Sequence, residues 1–215
     1  MVSAHTHIAS TRSTAIRAVA LAFAATLALA ASADAQRSKQ RTPVSPAPDL
    51  GLVPVPFCFG DPSSVPCPCD NPGAPWSGCQ NSALTGGAQL RASGQAVLSA
   101  DTLQFHVRGE LSTSLSIVLQ GTAAVRPQGF GDGLRCVSGQ LTRLYIRTAA
   151  DGAFSLPKAG EDSISVRTAA LGDPLVGGDT RFYQVYYRDP RAAYCSGPVG
   201  GGFNISNGLA VVWMK

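Results

Sequence analysis

The 215-residue chain is poor in histidine, in glutamate and in charge of either sign. It has three histidines, and Glu110 and Glu161 are its only glutamates. Charged residues make up 14% of the chain, with Lys+Arg 17 against Asp+Glu 13. A net charge of +4, dispersed along the sequence, is too weak a footprint for a nucleic-acid partner, and none is expected. No apolar run reaches the roughly 20 residues that a membrane-spanning helix needs, so no membrane span is expected. Gly-x-Ser-x-Gly is absent, which removes the usual nucleophile elbow of serine hydrolases.

The apolar run that does exist is short and N-terminal. Met1 to Arg17 is polar, carries Arg12 and Arg17, and has no acid. Ala18 to Ala31 is Ala, Val, Leu and Phe with one Thr, and Ala33-Asp34-Ala35 follows. A basic start, a short apolar core and a small-x-small site describe a secretory signal peptide over residues 1–35. The mature chain then starts near Gln36, outside the cytoplasm: periplasmic, surface-bound or extracellular. Loss of the leader also removes His5 and His7. His106 is left as the sole histidine, at an outward position in a strand-like alternation, which excludes three-histidine zinc catalysis.

Cysteine is plentiful by contrast: Cys58, Cys67, Cys69, Cys79, Cys136 and Cys195, all beyond the cleavage site. In an exported chain an even number reads as disulfides. Cys67 and Cys69 are too close in sequence to pair readily. Cys136 and Cys195 lie apart from the cluster and are expected to pair with each other. Within the cluster, Cys58–Cys69 with Cys67–Cys79 is preferred, and Cys58–Cys67 with Cys69–Cys79 stays open. Zinc fails on the Cys-x-Cys spacing. Asp61, Asp70, Asn71 and Asp132 are oxygen donors in turns but form no calcium loop, so turn bracing is their expected role. No metal and no cofactor is expected.

Residues 36–56 hold Pro43, Pro46, Pro48, Pro54 and Pro56 and read as an extended linker. Residues 57–83 are a disulfide-rich cap with too few apolar residues for its own core, expected to pack through Phe57, Phe59 and Trp76 on the main body. From residue 84 to 215 apolar residues alternate with polar ones, the period of a half-buried strand. The alternating runs are Leu103–Val107, Leu115–Leu119, Leu144–Ile146, Ile164–Val166, Phe182–Arg188 and Leu209–Trp213. Weaker runs lie at Ala88–Ala92 and Gln95–Leu98. Asp151-Gly152 and Asn207-Gly208 carry the tight-hairpin signature, and glycine clusters at 129–133 and 177–178 break further pairs. About eight short strands point to an all-β antiparallel β-sandwich, jelly-roll-like, with a small N-terminal disulfide-rich loop region.

Several strings resemble a widespread set of uncharacterised secreted Cys-rich proteins of planctomycete-type environmental bacteria. They are Phe57-Cys58-Phe59-Gly60-Asp61, Cys67-Pro68-Cys69, Gly78-Cys79-Gln80-Asn81-Ser82, Phe130-Gly131-Asp132-Gly133-Leu134-Arg135-Cys136, Tyr183 to Pro190, and Phe203 to Gly208. The resemblance implies one secreted module and brings no activity, ligand or catalytic residue with it. A bacterial source also leaves the Asn204-Ile205-Ser206 sequon without a glycan.

For function, the aromatic strand is the strongest feature. Tyr186, with Gln184 and Arg188 on the same face, forms a candidate platform for stacking a sugar ring. No catalytic residue is assigned. A non-enzymatic binding or structural module with an extracellular partner, a glycan in particular, is the expectation. A small hydrolase using a carboxylate pair, drawn from Glu110, Glu161 and the aspartates, is the alternative.

Overall fold

The computed structural model describes residues 53–190 and 201–215. The leader, most of the linker and Cys195 lie outside them. The described residues belong to one compact unit, Pro46–Lys215.

The chain is all-β and antiparallel. A six-stranded sheet has the order β1 (Val55–Phe57), β11 (Gly208–Val212), β9 (Thr180–Arg188), β4 (Leu115–Gly121) and β7 (Thr142–Thr148), with β10 (Phe203–Ile205) also pairing β9. A three-stranded sheet runs β2 (Gln89–Ser93), β3 (Gln104–Arg108) and β8 (Phe154–Leu156). β5 (Ala123–Phe130) and β6 (Gly133–Ser138) form a separate hairpin. β-Branched and aromatic residues dominate β9, as suits a pleated surface that is buried on at least one side.

Alternation sets much of the core, but β4 presents the opposite face to the one expected from its leucines, with Val118 inside and Leu115 exposed, and β7 buries Leu144 and Tyr145 in place of Ile146. Tyr183 and Val185 of β9 point inward with Val118, Leu144, Leu209, Val211 and Trp213. Leu90, Phe105, Val107 and Leu156 of the smaller sheet pack against them in the same cluster, a sandwich-like arrangement. Trp213 and Tyr183 are fully buried, and the indole nitrogen donates to the Tyr183 hydroxyl at 3.3 Å. This satisfies the one polar group that a buried tryptophan carries.

The expected strand at Ile164–Val166 is instead a helix, α1 (Ile164–Ala170). Ser163 caps it, its side chain accepting from the Val166 amide, and Ile164 and Thr168, one turn apart, are its buried residues. Three alternating residues fit either period, and the cap decides in favour of helix. Gln95–Leu98 forms no strand, only an isolated bridge from Val97 to Met214. Val55–Phe57 pairs with Ala210, Leu209 and Gly208 as a short strand. Pro56 is tolerated there because β1 is an edge strand.

Asp151-Gly152 makes the expected turn, with φ of 52° and 75° and a bridge between Ala150 and Ala153. Asn207-Gly208 does not. β10 and β11 lie in line along the same edge of β9, with Ile205 opposite Tyr186 and Leu209 opposite Tyr183. Four residues on one side thus match three on the other, which is a bulge. The buried Asn207 amide leaves the sheet and copies a strand: Oδ1 accepts from the Leu90 amide at 2.7 Å and Nδ2 donates to the Leu90 carbonyl at 3.1 Å. One side chain thereby ties the two sheets together.

Two disulfides are Cys58–Cys136 and Cys67–Cys79. The second was expected. The first overturns both Cys58–Cys69 and Cys136–Cys195: β6 runs beneath the cap, so Cys136 meets Cys58 across a sequence separation of 78. Cys69 is also disulfide-bonded.

Candidate functional site

The aromatic strand divides as its alternation requires. Tyr183, Val185 and Tyr187 face inward, while Phe182, Gln184, Tyr186 and Arg188 face the other way. That outer face is not an open platform. Gln184 is fully buried beneath the cap and hairpin. Its Oε1 accepts from the Cys136 and Val137 amides at 2.8 and 3.0 Å, and its Nε2 donates to the carbonyls of Leu134 and Ser206 at 3.0 and 2.9 Å. No hydrogen-bonding capacity is left for a ligand. Tyr186 is half-buried in a cluster with Phe203 and Phe130, at centroid distances of 5.1 and 6.3 Å. Arg188 is exposed and lines a different cleft. The three residues expected to form one sugar-binding face are therefore not assembled into a site.

The Arg188 cleft, about 690 Å³, is also lined by Glu110, Ser112, Thr85 and Asp151. Glu110 is buried. Burial pushes its carboxyl up to about 7, although the Ser116 and Ser114 hydroxyls donate to Oε2 and pull it back. Its Oε1 is buried without a hydrogen-bond partner among the described residues. Glu161 lines another cleft and is paired with Arg147 at 2.6 Å. Glu110 and Glu161 thus do not flank a common substrate position. Asp151 shares the cleft with Glu110, but a general acid must reach the glycosidic oxygen, and the Glu110 carboxyl is shielded.

A carboxyl whose pKa is raised on folding binds more protons in the folded state than in the unfolded state. Its contribution to stability is full below about pH 4.5 and is lost as pH rises towards about 7. Glu110→Gln is expected to abolish this dependence and to stabilise the protein at pH 8 by roughly 3 kcal/mol. Urea unfolding at pH 5 and pH 8 measures it. A wild-type midpoint that did not fall between the two would contradict the assignment.

The outward face of β2-β3-β8 carries a second set of polar groups. His106 bridges three strands, with Nε2 2.7 Å from Ser93 Oγ and Nδ1 2.9 Å from Ser155 Oγ. This is the outward histidine expected from the alternation. Beside it are Arg91, in register with His106, and Arg108, in register with Gln89.

Trp76, from the cap, borders this face. Phe57 and Phe59 split the packing role expected of the cap aromatics. Phe57 stacks edge-on against Phe182 at 5.8 Å, whereas Phe59 stacks on Trp76 at 5.1 Å within the cap. Trp76 does not pack on the body: it is 57% exposed. Its φ is 69°, a conformation that bulky residues rarely adopt. The backbone is held there from both sides. Its amide donates to Asp61 Oδ2 at 3.0 Å, and its carbonyl accepts from Gln89 Nε2 at 3.2 Å. Gln89 is 4% exposed, and its Oε1 accepts from Arg108 Nε at 2.9 Å. Asp61 also accepts from the Ser63 amide and hydroxyl. Burial raises its pKa, but these bonds and the Trp76 amide outweigh that and hold the carboxyl below its ordinary value.

Two shallow clefts meet along this line. One, about 280 Å³, is lined by Trp76, Gln89, Arg91 and Pro54. The other, about 230 Å³, is lined by Gln89, Arg91, Arg108 and Thr85. Gln89 and Arg91 belong to both. Sequence reasoning assigned Trp76 to packing. The available signal was its setting: Pro75 before it, Ser77-Gly78 after it, and no alternation to bury it. No helix among the described residues is long and apolar enough to cross a membrane. No family model, curated protein or solved structure matches the chain.

Proposed function

We propose that the protein is an extracytoplasmic, non-enzymatic binding module that takes a polysaccharide on the face bordered by Trp76. One observation carries this reading: an exposed indole whose backbone is clamped between Asp61 and Gln89. An exposed aromatic offers a flat apolar surface to the CH face of a pyranose ring. Fixing it beforehand lowers the ordering cost of binding. The neighbouring Gln89, Arg91 and Arg108 supply polar groups at the edge of that surface, where sugar hydroxyls lie. The disulfides suit an oxidising compartment outside the cytoplasm, where such polymers are met.

The test is affinity electrophoresis through gels containing neutral and acidic soluble polysaccharides. Trp76→Ala is expected to abolish retention while changing stability by less than about 1 kcal/mol, because the ring is mostly exposed. Tyr186→Ala is expected to do the reverse, lowering stability by about 2 kcal/mol through the Phe130–Phe203 cluster and leaving retention intact. Retention that survived Trp76→Ala would overturn the proposal.

A further inference from the structure

We infer that the ligand of the Trp76 face is a carboxylate-bearing polysaccharide, a polyuronate, held through Arg91 and Arg108. The inference rests on the reading of Trp76 as the stacking surface and adds the chemical class of what is stacked.

The face is cationic without compensation. The Arg91 side chain is exposed and makes no hydrogen bond or ion pair with any other described residue. Arg108 is exposed and commits only Nε, to Gln89, which leaves both terminal nitrogens of its fork unused within the described residues. The two clefts that share Arg91 have no aspartate or glutamate in their described lining. The ion pairs of the described residues lie elsewhere, at Arg147 and Arg181.

Position sharpens the point. Arg91 is opposite His106 and diagonal to Arg108 on one face of one sheet. Long side chains on diagonal cross-strand positions are within reach of each other, and like charges there repel. An anion lying between Arg91 and Arg108 would relieve that repulsion. Arg108 is also mechanically coupled to the indole. Gln89 bonds the Trp76 carbonyl with one end of its amide and Arg108 with the other, so the cation and the stacking surface keep a fixed relation.

The anion that fits is planar and sits at the edge of a ring. A uronate carboxylate is attached directly to a ring carbon, so a pyranose stacked on the indole projects it sideways, toward the arginines. A guanidinium fork takes a carboxylate with two parallel bonds. A sulfate ester hangs on additional rotatable bonds and is tetrahedral, which gives a poorer match to the fixed fork.

Calorimetric titration of the purified protein with oligogalacturonate tests this, against the same oligomer after reduction of its carboxyls to neutral galactose and against polyglutamate of equal charge. Binding to oligogalacturonate is expected to exceed binding to the reduced oligomer by about tenfold or more and to weaken with added salt. Arg91→Gln, a change at an exposed side chain, is expected to remove most of that preference while leaving the thermal midpoint unchanged. Equal binding of the charged and reduced oligomers, unaffected by Arg91→Gln but lost in Trp76→Ala, would overturn the polyuronate inference and leave the stacking surface standing. Binding of oligogalacturonate that Trp76→Ala does not weaken would overturn the stacking surface itself. Polyglutamate bound as tightly as oligogalacturonate would overturn the inference by reducing the face to a plain polyanion site.

Discussion

Replacing Gln184 with leucine is expected to destabilise the protein by about 4 kcal/mol, the cost of leaving two buried amides and two carbonyls without their partner. The amides are those of Cys136 and Val137, and the carbonyls those of Leu134 and Ser206. Leucine fills nearly the same volume, so the loss is polar rather than a cavity. The effect reaches beyond β9. Gln184 joins the six-stranded sheet to β6, and β6 carries Cys136, which is bridged to the cap at Cys58. Urea unfolding followed by far-ultraviolet circular dichroism measures the change. A loss below 1 kcal/mol would mean that water or a backbone shift replaces all four bonds.

Removal of the Cys58–Cys136 bridge, as Cys58→Ser with Cys136→Ser, is expected to cost a similar amount. The bridge closes a sequence separation of 78, and Cys67–Cys79 closes one of 12. In the chain-entropy account these are worth about 4 and about 3 kcal/mol. The longer loop also fixes the cap to the body. The corresponding serine pair at Cys67 and Cys79 should therefore destabilise less and loosen only the cap. Equal losses in the two pairs would show that loop entropy does not set their contributions. The sulfurs and Gln184 are neighbours, with Gln184 Nε2 3.7 Å from Cys58 Sγ, so combining the changes should cost less than their sum.

Much of the β architecture is legible in the residues. β3, β9 and β11 follow from alternation, because each has one face in the common core. β4 keeps the period in the opposite phase, burying Ser116, Val118 and Gln120 and leaving Leu115 exposed. β7 breaks it: a bulge opposite Val118 and Leu119 buries both Leu144 and Tyr145 and turns Ile146 out to solvent. The Gly131-Asp132 turn between β5 and β6 follows from glycine at a positive φ of 59°. Failures occur where a side chain answers to a distant partner. Asn207 has the letters of a turn, yet its amide is spent on Leu90 in the other sheet. The pairing of Cys58 with Cys136 depends on where β6 lies, which spacing along the chain does not encode. Tyr186 and Gln184 share an outward register with Arg188, and alternation does not reveal that the hairpin and cap cover the first two.

The candidate site was harder to see for the same reason. Its parts come from residues 61, 76, 89, 91 and 108, on the cap and two strands. His106 and Arg108 stand out as polar positions in an alternating run. Their alignment with Arg91 and Gln89 exists only once β2 and β3 pair. Trp76 looks like a packing residue until Asp61 and Gln89 are seen to hold its backbone and leave its ring in solvent.

The chain's two tryptophans make the central claim directly measurable. Trp213 is fully buried and Trp76 is 57% exposed, so collisional quenching by acrylamide reports mainly on Trp76. Oligogalacturonate at saturation is expected to protect the emission from acrylamide, and Trp76→Phe is expected to remove the quenchable component. Calorimetrically demonstrated binding with acrylamide quenching unchanged would place the ligand elsewhere and contradict the account.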